Sequence, residues 1–133
     1  MLIMAIGTDR KQSKALLKLG IPKQTADMHI SWHWDSAVES KKVWELNTGF
    51  PWRNDHIPAW SVEALANLFP FPKAVDEPIF KLTKGCVSFD EMTVSWPNKW
   101  IARFWGCKGV GKTQVDAVFN LIVTLYDNGV KLW

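Results

Sequence analysis

The sequence predicts an α+β fold: one small domain in which an antiparallel meander of about three to five strands carries a C-terminal helix on one face, with two shorter helices before it. Three observations predict it. From Ile79 the apolar residues alternate with period two as far as Phe104; residues 114 to 128 switch to a helical stripe; and two earlier segments carry helix start and stop signals. The 133 residues, 47% apolar and 22% charged, suit one domain spanning 1–133 that buries a core without metals or disulfides.

The first helix is expected over Asp9 to Leu19, capped by Thr8 and stopped by Gly20-Ile21-Pro22, with Leu16, Leu17 and Leu19 making apolar contacts and Ile21 packing back on Leu16. Lys11, Lys14 and Lys18 form a basic face, read as solvated. His29-Ile30-Ser31-Trp32-His33-Trp34-Asp35 alternates as a strand, with Met28, Ile30, Trp32 and Trp34 on one side and His29, Ser31, His33 and Asp35 on the other. In a helix the H-x-x-x-H spacing would suit a metal. In a strand it separates His29 from His33 by about 13 Å at about 3.3 Å per residue, so no metal site is expected.

A second strand is predicted at Lys42 to Leu46, closed by a turn at residues 47–51, and Trp52 to Pro58 reads as loop. Arg53, Asp55 and His56 in that loop could form a catalytic cluster, but no nucleophile stands at a diagnostic spacing, and ordinary surface polarity is the reading taken. Ser61 is a good N-cap for a short helix over Val62 to Phe69, with Trp60 stapled onto Leu65 and Pro70-Phe71-Pro72 ending it. The meander then places Phe80 and Leu82, Val87 and Phe89, Met92, Val94 and Trp96, and Trp100, Ala102 and Phe104 on three or four strands, with turns near Lys84-Gly85, Asp90-Glu91 and Pro97-Asn98.

The last helix, about Gln114 to Asn128, shows Val115, Val118, Phe119, Ile122, Leu125 and Tyr126 on one stripe and Ala117, Asn120, Thr124 and Asp127 opposite. Just before it, Gly106, Gly111, Lys112 and Thr113 satisfy G-x-x-x-x-G-K-S/T. In a phosphate loop the amides of Gly109 to Thr113 would wrap phosphates, Lys112 would reach the terminal one and Thr113 would hold Mg²⁺. The competing reading makes Thr113 a helix cap that accepts from Asp116, with the carboxylate reaching back. Little chain follows this helix, and the only upstream apolar run ending in an acid, Cys86 to Asp90, is short and alternating, unlike a buried parallel strand. The motif is therefore read as coincidental, with no cofactor.

A net charge of +3 demands no polyanionic partner, and Cys86 and Cys107 form no C-x-x-C pair and no disulfide framework. No run approaches a membrane span and Met1 to Ile6 is too short for a signal core, so a cytoplasmic protein without membrane contact is expected. Nine tryptophans and seven phenylalanines are read mainly as core, with a stacking or partner surface as the alternative. Lys99, Arg103 and Trp105 share the outer face of the last strand. With Trp100, Lys108 and Lys112 they form a candidate nucleic-acid surface.

Gly20-Ile21 followed by Thr25-Ala26-Asp27-Met28, then Ile57-Pro58-Ala59-Trp60-Ser61 with Leu65, Leu68 and Pro70, then Val115-Asp116-Ala117, resemble small uncharacterised proteins of gut bacteria whose genes often lie in prophage-like or other mobile regions. The resemblance covers most of the chain and rests on short, mainly structural motifs. It implies no assigned reaction and no catalytic residues. Relatives commonly carry a proline and an acid around the start of the last helix; Lys112-Thr113-Gln114 departs from that habit, which implies that the phosphate-loop match is local. The expected function is a non-enzymatic accessory or interaction module with a protein partner. Nucleic-acid binding is the first alternative and phosphate-loop nucleotide binding the second.

Overall fold

A computed structural model describes residues 6–34, 42–51, 53–70, 79–89, 92–130 and 132. The chain is α+β, and it divides into two compact units, one of residues Gly7–Ala64 and one that holds Ile6 and the described residues from Leu65 onward.

In the first unit, helix α1 (Arg10–Lys18) starts from a capping box: the Asp9 carboxylate accepts from Gln12 N at 2.7 Å, and the Gln12 side chain accepts from Asp9 N at 3.1 Å. The cap is therefore Asp9, not Thr8 as expected, because the Thr8 hydroxyl is engaged elsewhere. It lies fully buried, accepts from Trp60 N at 3.0 Å and shares a 2.8 Å hydrogen bond with Ser13. Gly20, at φ 95°, closes the helix, and Ile21 N donates to Leu16 O with both side chains buried. Leu17 stays 36% exposed rather than packed.

After a single 3₁₀ turn (Lys23–Thr25), strand β1 (Met28–Trp34) pairs antiparallel with both β2 (Lys42–Thr48) and β3 (Ile57–Ala59), giving a sheet of order β2-β1-β3. Strand β3 occupies part of the expected loop. Three residues with a central proline give no alternation to read, and proline fits here because β3 is an edge strand. The apolar face of the sheet is Met28, Ile30 and Ala59, packed with Trp44, Leu46 and Ile57. The Arg10 guanidinium sits 3.9 Å above the Trp44 ring, and Lys42 Nζ sits 4.5 Å from the Trp32 ring.

Residues from the first two of the segments quoted for the resemblance meet here. Trp60, fully buried, donates its indole N–H to Thr25 Oγ1 at 2.8 Å, and the Asp27 carboxylate accepts from both the backbone N–H and the hydroxyl of Ser61. Ser61 Oγ in turn accepts from Ala64 N at 3.1 Å, capping α2 (Val62–Ala66), which ends earlier than expected; tight turns at Leu68 and Phe69 replace its last turn.

The second unit is the expected meander. Strands β4 (Lys81–Phe89), β5 (Met92–Phe104) and β6 (Cys107–Gly111) pair antiparallel in chain order, and α3 (Gln114–Asp127) packs on β6 and β5. Two of the three predicted turns are absent. The pairing passes from Lys84↔Trp100 to Cys86↔Ser95, so Gly85 and residues 96–99 form an irregularity inside one long hairpin. Pro97 takes a bulge position, where its missing N–H breaks no ladder bond. The turn near residues 90 and 91 lies outside the described residues. Phe69 stacks on Phe80 and meets Phe104 edge-on, with ring centroids 4.4 and 5.1 Å away.

The buried arc of α3 is Val115, Ala117, Val118, Leu121, Ile122 and Leu125. Relative to the predicted stripe it is rotated: Ala117 is covered and Tyr126 is 42% exposed. The two strand glycines cause the rotation. A Cβ on Gly109 would overlap Leu121 N and Ala117 O, and one on Gly111 would come within 2.5 Å of Asp116 Cβ, so the helix backbone lies directly on β6.

Candidate functional site

The residues that suggested a phosphate loop lie mostly in a strand. Gly106 is in the β5–β6 turn; Gly109 and Gly111 are in β6, opposite Ala102 and Trp100. Only Lys112 and Thr113 separate β6 from α3. Gly109 and Gly111 thus give close helix–strand packing, and the Thr113 hydroxyl accepts from Asp116 N at 3.1 Å as the N-cap of α3. Lys112 is exposed.

The second candidate set is divided by strand register. Paired residues of neighbouring strands point to one face. Gly109 faces α3, so Trp100, Ala102 and Phe104 face α3 as well, and Ile101, Arg103 and Lys108 face the other way. Trp100 is half-buried with Lys84 Nζ 5.6 Å from its ring centre, and Lys99 is exposed beside the bulge. The register brings Arg103 and Lys108 together as a direct cross-strand pair, and adds Lys81, opposite Arg103 on β4, which the sequence reading lacked. Finding Lys81 requires the strand register, which a bulged hairpin conceals. Arg103 Nη2 is buried with no hydrogen-bond partner among the described residues.

Between Arg103 and Lys108 the chain reverses through Trp105-Gly106. Phe104 pairs with Cys107, so the loop has two residues, with φ 51° at Trp105 and 73° at Gly106. Positive φ at both positions is the signature of the type I′ hairpin turn, which favours Asn-Gly because left-handed backbone is costly for other side chains. Trp105 is the one non-glycine residue with positive φ among the described residues, and it is 64% exposed. Its ring is tilted against Phe104, with centroids 6.4 Å apart.

The histidines form a third cluster. His29 and His56 are buried and stacked, with centroids 4.4 Å apart and planes 12° from parallel, and His29 Nδ1 lies 2.9 Å from Gly49 O. Burial lowers the His56 pKa; the neighbouring His29 adds to this, Asp55 opposes it and Arg53 lowers it further. Arg53 and Asp55 pair at 3.1 Å, and His33 lies 3.7 Å from Glu45. No group of three or more metal-ligating side chains is gathered among the described residues, and no helix among them is long and apolar enough to cross a membrane.

No protein-family model matches the chain, and no curated protein or solved structure matches it.

Proposed function

We propose that this chain is a non-enzymatic accessory module that engages a protein partner through the β5–β6 hairpin, with Trp105 as the anchor. The observation that carries the reading is Trp105 itself, 64% exposed in a left-handed turn position. A bulky residue there costs about 1–2 kcal/mol in backbone strain and leaves an indole in water. Both costs are explained if the indole enters a pocket on another molecule, where tryptophan is the most enriched hot-spot residue. The resemblance to small proteins of gut bacteria supports an accessory role in a prophage-like or mobile region, and the compartment that suits it is the cytoplasm. Close helix–strand packing by Gly109 and Gly111 supports the capping role of the glycine segment over nucleotide binding.

The test is retention of a partner from host extract on immobilised wild-type protein and on Trp105→Asn, with specific bands identified by mass spectrometry. A partner retained by the wild type and reduced at least tenfold by the substitution is expected. Equal retention, or no specific protein on either, would overturn the reading. Nucleic-acid binding is the second reading, favoured by Arg103, Trp105 and Lys108 lying on one hairpin. It predicts a gel shift that weakens steeply with salt.

A further inference from the structure

We infer that the hairpin's ligand is an acidic segment of a protein, with carboxylates seated on the cross-strand row Lys81–Arg103–Lys108 and an apolar side chain on Trp105; this rests on the reading of Trp105 as an anchor. The row follows from register alone: Lys81 pairs with Arg103 and Arg103 with Lys108, so three cations stand abreast on one face, one per strand. Like charges directly opposite destabilise a sheet. Among the described residues no carboxylate lies within ion-pair distance of Lys81 or Arg103 to relieve it.

Arg103 sharpens the chemistry. Its side chain is half-buried, and a guanidinium edge is shaped to donate two parallel hydrogen bonds to one carboxylate; Nη2, buried without an acceptor among the described residues, is not the edge offered. The three residues span about 10 Å at about 4.8 Å per strand, and side chains on one side of an extended peptide recur about every 7 Å, so alternate acidic residues can meet two cations together. Trp105 lies two residues beyond Arg103 at the tip, next to the row and exposed.

A phosphate backbone could use the same cations, but single-stranded nucleic acids are held by successive aromatic platforms. Here Trp100 is turned to the α3 face with Lys84 over its ring, which leaves Trp105 as the tryptophan at the row among the described side chains of β5–β6. One anchor beside a cation row suits a peptide better.

Fluorescence anisotropy on the full chain tests this with three labelled probes: a decapeptide alternating Glu with Leu, its Gln-for-Glu analogue, and a ten-residue oligothymidylate. The acidic peptide is expected to bind, to weaken as salt rises, and to lose at least tenfold affinity in Arg103→Gln and in Trp105→Asn. Lys81→Gln, at an exposed position, should lose threefold or more and serves if Arg103→Gln does not fold. Tighter binding of the oligothymidylate, equal binding of the Gln analogue, or unchanged binding by Lys81→Gln would each overturn the inference. Should the acidic peptide fail while Trp105→Asn still abolishes retention of the extract partner, the anchor stands and its acidic ligand falls; if Trp105→Asn changes neither, both fall.

Discussion

Replacing Trp105 by glycine and by alanine tests the strained turn directly. Both substitutions remove the same indole and its contact with Phe104, so the stability difference between them isolates the backbone. At φ 51° a Cβ carries the left-handed penalty, about 1–2 kcal/mol. Glycine escapes that penalty but has the freer unfolded chain, which favours alanine by about 0.4–1 kcal/mol. At the midpoints of these ranges Trp105→Gly is more stable than Trp105→Ala by about 0.8 kcal/mol, the reverse of the order in an ordinary exposed strand. Urea unfolding of both variants, followed by far-UV circular dichroism, resolves this as a higher midpoint for glycine at equal slope. Because Trp105 is 64% exposed, neither variant should suffer the roughly 3–5 kcal/mol loss typical of removing a buried tryptophan. Alanine equal to or above glycine would refute the strain, and a loss above about 3 kcal/mol in both would make Trp105 a structural residue.

Gly109→Ala should destabilise by about 1–3 kcal/mol or more, since its Cβ meets the α3 backbone, which cannot rotate away as a side chain could; a denaturation midpoint unchanged from wild type would contradict the packing. The lowered His56 pKa means that the unfolded chain binds a proton before the folded one does, so stability is full above the ordinary value of 6.5 and falls as pH drops below it. The limiting slope is about 1.4 kcal/mol per pH unit, and His56→Gln should flatten the melting temperature between pH 7 and 5.5. Mg-ATP should leave the melting temperature of the wild type and of Lys112→Ala unchanged. A rise of several degrees in the wild type, lost in the variant, would make residues 106–113 a nucleotide site.

The elements legible in the sequence were those whose pattern is set by their own neighbours. Alternation from His29 onward marks β1, Gly20-Ile21-Pro22 marks the stop of α1, and the alternation of Trp100, Ala102 and Phe104 assigns the face that α3 covers. Where distant residues decide, local signals misled. Thr8 is a good cap in isolation, but Trp60 N claims its hydroxyl across 52 residues, and the cap passes to Asp9. Lys84-Gly85 and Pro97-Asn98 have turn chemistry that the hairpin absorbs as a bulge. The tilt of the α3 stripe depends on glycines in another element. At the candidate site, Arg103 and Lys108 were visible as basic residues near an aromatic, whereas the Trp105 turn was not, because tryptophan is not a turn-forming residue.

The two-residue junctions of the C-terminal unit bear on the order of folding. Residues 90–91 join β4 to β5, 105–106 join β5 to β6, and 112–113 join β6 to α3, so every neighbour in the sheet order is also a neighbour in the chain. Loop closure is cheap at such separations, and topologies built from local contacts fold fast. The unit of residues Gly7–Ala64 instead closes through Thr8 and Trp60, so its core cannot form until its two ends meet. The meander should gain amide protection first when the whole chain is refolded from denaturant, with the aromatic hairpin tip displayed before residues 7–64 are closed.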